Sequence, residues 1–78
     1  MSATYVFAPT LRSAHLWLAS QGLRPTSPGV FIATAGMAIH YGLVFRPDDR
    51  VVALSDDMAG KARPFAAKTG HRVERVET

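Results

Sequence analysis

The residues best placed to do chemistry in this chain gather at two corners. In Ala8–Ser13 (APTLRS), a strand ending at Pro9 gives way to Thr10, Arg12 and Ser13. Thr10 is a residue type that caps a helix. A helix starting there would aim unpaired backbone amides, two hydroxyls and one guanidinium at the same point, which is the general design of an anion site. Arg24 and Arg46 are the other cations of residues 1–47. The candidate anion-binding set is therefore Thr10, Arg12, Ser13, Arg24 and Arg46. It lacks the glycines that let a backbone wrap a phosphate. Neither GxGxxG nor GxxxxGK[ST] occurs, so dinucleotide binding and nucleotide hydrolysis by the usual loops are not expected.

The second corner is VVALSDD, where Ser55, Asp56 and Asp57 follow an apolar strand, as a magnesium ligand does in metal-dependent phosphoryl transfer. Such a site draws a further acid from another strand end. Asp48 and Asp49 stand at the opposite end of the same strand, and Glu74 and Glu77 lie near the last residue, so the motif reads as a helix cap with dipole-complementing carboxylates. His15, His40 and His71 have no metal-ligand spacing, and no His is placed beside Ser55 to activate it. The absence of Cys removes thiol catalysis and every Cys-based metal site. No catalytic residue, metal ligand or cofactor is expected, and the protein is read as not an enzyme.

Charge points in the same direction. Nine basic and six acidic residues leave +3, and residues 1–47 contain three Arg with no acid, whereas residues 48–78 cancel. That bias attracts anions but falls short of the dense stripe of a dedicated nucleic-acid binder. Twelve Ala, seven Arg against two Lys and no Asn suit a GC-rich genome. No apolar run approaches the roughly 18 residues of a membrane span, and no leader pattern opens the chain, so a cytoplasmic protein is expected.

These corners must be held by a small set of elements. At 78 residues there is room for one domain, residues 1–78, with a core small enough that a partner or a second copy would help its stability. Residues 4–8 (TYVFA) read as a first strand. LRSAHLWLASQ then forms a helix with Leu11, Ala14, Leu18 and Trp17 on its apolar side, Leu16 on the other, and Gly22 as its stop. RPTSPG is a loop, and residues 30–34 (VFIAT) are apolar on both faces, as in a strand covered from both sides. Residues 35–45 are ambiguous. They form either a short helical turn near 37–41, or a strand over 39–45 pairing with 50–54 as a hairpin across RPDD. The first is favoured because residues 50–54 (RVVAL) are also apolar on both faces. Ser55 starts a second helix, kinked or irregular at Gly60 and Pro64, and residues 71–76 close the sheet as a charged edge strand.

The expected fold is α/β, with four mostly parallel strands in order 2-1-3-4 and two to three helices, Rossmann-like without a phosphate loop. Right-handed crossovers put the first helix on one face and the later connections on the other. The first helix's side of strands 3 and 4 would then be bare, unless Phe65 or the C-terminal residues fold back and cover it. Val51, Val52, Ala53 and Leu54, extended by Leu16 and Trp17, become the candidate interface for a homodimer or a protein partner.

Thr4–Leu23 and Gly42–Asp56, with the corner APTLRSAHLW and the run GLVFRPDDRVVALSD, resemble small orphan α/β proteins encoded by actinobacterial phages. That resemblance implies a phage accessory factor and supplies no site residues. The leading expectation is a small non-catalytic interaction protein binding a host or phage protein. The alternative is a weak nucleic-acid or phosphate-ligand binder using the basic N-terminal half.

Overall fold

The computed structural model describes residues 3–34 and 45–76. Four strands, β1 (Thr4–Ala8), β2 (Val30–Thr34), β3 (Arg50–Ala53) and β4 (Val73–Arg75), form one sheet in the order β2-β1-β3-β4. Every pairing is parallel, with Tyr5 level with Phe31 and Val51, and Val52 level with Glu74. Among the described residues two helices, α1 (Leu11–Ser20) and α2 (Asp56–Lys68), return the chain between parallel strands. β3 has β1 on one side and β4 on the other, so neither edge is left for a hairpin partner. The choice between helix and strand within residues 35–44 lies outside the described residues.

Each helix is delimited by its own sequence. Thr10 and Ser13 close a reciprocal capping box on α1: the Ser13 amide donates to Thr10 Oγ1 at 3.1 Å and the Thr10 amide to Ser13 Oγ at 3.3 Å. Gly22, at φ 72°, ends the helix by letting the Leu23 amide reach back to the Leu18 carbonyl at 2.8 Å. Ser55 caps α2 by accepting from the Met58 amide, with Asp56 and Asp57 in the first turn. Gly70, at φ 73°, then repeats the same termination, with His71 N–H donating to the Ala66 carbonyl at 2.9 Å.

The second helix runs unbroken through Pro64, where the sequence suggested a kink or irregularity. Proline removes the bond that residue 64 would make to the Gly60 carbonyl. Gly60 and Pro64 both stand on the exposed side of α2, where water can replace a lost helix bond.

The two faces of the sheet carry separate cores. Val6, Ala8, Val52 and Leu54 pack with Ala14, Trp17 and Leu18 of α1. Phe7, Val51 and Ala53 pack with Phe45 and with Met58, Ala59, Ala62 and Ala66 of α2. β1 and β3 are thus covered on both faces, as parallel sheets require, whereas the edge strand β2, also expected to be covered on both, leaves Phe31 half exposed on the α2 side.

Candidate functional site

In an open parallel sheet, ligands favour the crevice beyond the carboxyl ends of the strands, where successive connections leave in opposite directions. Here that point falls between β1, which leads through α1 to β2, and β3, which leads through α2 to β4. Both helix N-termini border it, and so do both motifs singled out in the sequence. The polar groups there are engaged with one another. Thr10 Oγ1 and Ser13 Oγ are 3.1 Å apart within the capping box. Ser55 serves the Met58 amide, Asp56 accepts from Arg75 Nε at 2.9 Å, and Asp57 lies 3.5 Å from Lys61 Nζ one turn along. Ser55, Asp56 and Asp57 therefore act as a cap and its salt links. Among the described residues no three His, Asp or Glu gather as a metal site.

The proposed anion-binding set divides in two. A helix joining two parallel strands must run antiparallel to both. Thr10, Arg12 and Ser13 at the start of α1 lie at the carboxyl edge, while Arg24, beyond the end of α1, lies at the amino edge. Arg46, four residues before β3, is at the amino edge too. The ten residues of α1 separate the groups by about 15 Å of helix rise, so the five residues do not converge on one ligand.

The interface expected on β3 is also placed differently. The two helices do occupy opposite faces, but Val51, Val52, Ala53 and Leu54 are all buried within the single chain, and Trp17 is buried with them. Side chains do what the first helix's backbone does not. Trp17 reaches into the cluster that contains Val52 and Leu54, and Val76 packs against the same cluster. Arg50 lies with its guanidinium carbon 5.4 Å from the Trp17 ring centroid and bonds Glu74 through Nε at 2.6 Å and a second nitrogen at 3.1 Å. That chain of Trp17, Arg50 and Glu74 closes over β3 and β4, and the bond to Glu74 raises the Arg50 pKa. Of the six residues, Leu16 alone is exposed, at 60%.

The amino edge carries features that the sequence did not single out. Asp49 is buried, and its carboxylate accepts from the Ala3 amide at 3.0 Å and the Arg46 amide at 2.8 Å. These bonds tie the start of β1 to the turn before β3. The Arg46 amide bond, followed by that of Ala3 and the nearby Arg46 and His71 charges, holds the Asp49 carboxyl below the usual aspartate range against the opposing effect of burial. His71 contacts Thr69 Oγ1 through Nδ1 at 2.7 Å and the Arg46 carbonyl through Nε2, joining the end of α2 to the same turn.

A row of rings crosses the α2 side just above this edge. Phe31 stacks on Tyr5 with centroids 5.0 Å apart, Tyr5 meets Phe45 edge-on at 4.8 Å, and Phe45 meets His71 at 5.6 Å. Phe31, at the open end of the row, is 51% exposed. Its place in VFIAT, apolar on both faces, marked it as a strand residue. Its position beside Tyr5 follows from the pairing register, which the sequence does not display.

Comparison with protein-family models, curated proteins and solved structures finds no match to this chain.

Proposed function

We propose that this is a non-catalytic interaction protein that docks an acidic, partly apolar segment of a partner protein on the outer face of α1. The observation that carries the reading is the exposure of Leu16 and Leu11, at 60% and 52%. At about 100° per residue they flank Arg12, His15 and Ala19, all exposed, so the solvent side of α1 is apolar at its margins and basic between them. Fully burying a leucine is worth about 1.5 to 3 kcal/mol, and these two keep more than half of their surface available. No acid stands in the helix to offset Arg12. A second copy meeting this face would set like charge against like, whereas an acidic segment would neutralise it. A phage accessory factor acting on a host or phage protein is the setting that the sequence resemblance implies for such a surface.

Photo-crosslinking tests the reading. A benzophenone side chain at position 16, expressed in the native host, should yield one discrete adduct that Leu11→Glu abolishes, while the same probe at exposed Ala67 on α2 yields none. Equal adducts at both positions, no adduct, or an adduct of twice the monomer mass would each overturn it.

A further inference from the structure

We infer that the amino edge of the sheet binds single-stranded nucleic acid, with Phe31 stacking a base and Arg46, Arg72 and Arg24 holding the backbone. The inference is independent of the docking face of α1, which lies on the other side of the sheet.

Two observations converge. The first is charge. Arg24 precedes β2, Arg46 precedes β3 and Arg72 precedes β4, so in the order β2-β1-β3-β4 the parallel strands bring all three exposed arginines to one edge. The start of β2 and the start of β4 are three interstrand steps apart, about 14 Å. His71 fixes the middle of this edge through its contact with the Arg46 carbonyl, and Lys68 ends α2 beside it. Of the nearby acids, Asp49 turns its carboxylate inward onto two amides and Glu74 is bonded to Arg50. Asp48 is the exposed acid of this turn, one against three arginines.

The second observation is the aromatic row. Phe31 presents half of its surface to water while its ring is held at 17° to Tyr5, so it is a positioned platform. Burial, followed by the nearby Asp49 charge, raises the Tyr5 phenol pKa and keeps it neutral behind that platform. A cationic edge beside an exposed, fixed aromatic ring is the combination that holds unpaired bases and their phosphates. A duplex would not offer its base faces to Phe31, which decides in favour of a single strand.

Fluorescence anisotropy with a labelled oligothymidylate of about 15 nucleotides tests this with the intact protein. Binding in about 50 mM salt should weaken with salt at a log–log slope near −2, as about three neutralised phosphates require. Arg46→Ala with Arg72→Ala should remove most of that slope. Lys61→Ala with Arg63→Ala, which deletes the same charge from α2, should leave it nearly unchanged. Phe31→Ala should weaken binding about tenfold at constant slope, and Phe31→Trp should restore it. No binding at this salt, equal losses from the two double variants, or a duplex bound as tightly with Phe31→Ala silent would each overturn the inference.

Discussion

Asp49 is the residue on which the amino edge depends. Its carboxylate answers two backbone amides, one from each of two segments far apart in sequence. Asp49→Ala leaves both donors without that acceptor, and bonds to a charged acceptor are worth about 1.5 to 3 kcal/mol each before water substitutes. Urea denaturation should show a loss of about 2 kcal/mol, while Asp48→Ala on the exposed side of the same turn should cost less than about 0.5. The pH dependence has a definite sign. Because folding lowers the Asp49 pKa, its contribution is fully present above the ordinary aspartate value and is lost as pH falls through the lowered one. Acid titration of stability should therefore be steeper in the wild type than in Asp49→Asn. Among the rings, Phe45 is buried at 2% and Phe31 is not, so Phe45→Ala should cost about 3 to 5 kcal/mol and Phe31→Ala far less.

At the scale of elements, the helices are terminated by devices that single residues test. Gly70 sits at φ 73° and any side chain there is strained, so Gly70→Ala should destabilise by about 1 kcal/mol. Gly60 lies within α2 at ordinary helical geometry, and a β-carbon there meets nothing within 4 Å. Gly60→Ala should stabilise by about 0.5 to 1 kcal/mol in thermal unfolding, and a loss instead would mean that α2 uses Gly60 to bend around Pro64. These elements were largely legible in the sequence, because Thr10, Ser55, Gly22 and Gly70 carry local information about where a helix starts and stops. The strand order followed from the alternation of strand and helix signals, and the parallel pairing from the two apolar faces of RVVAL. The continuity of α2 was not legible. Proline is costly in the mean, and its tolerance here depends on the exposure of the side of α2 that carries Gly60 and Pro64, which only packing decides.

At the scale of the molecule, a helix that returns the chain between parallel strands sorts residues by edge. Arg12 and Arg24 both lie in the acid-free first 47 residues, yet α1 carries them to opposite ends, so the five-residue anion site expected from the APTLRS corner and the charge distribution divides. Arg72, one residue before β4, joins Arg24 and Arg46 at the amino edge. The apolar surface expected on β3 is closed by Trp17 and the Arg50–Glu74 pair, contacts that depend on long side chains crossing a sheet and leave no periodic trace. The central claim is that the chain covers its own β3 and that, among the described residues, the solvent side of α1 is the face that docks a protein partner. Trp17→Ala should accordingly cost about 3 to 5 kcal/mol, since it removes the cover from Val52 and Leu54. Sedimentation equilibrium over micromolar concentrations tests the claim most directly: a monomer throughout is the predicted result, and a dimer would contradict it, through β3 if it survives Leu16→Glu and through α1 if it does not.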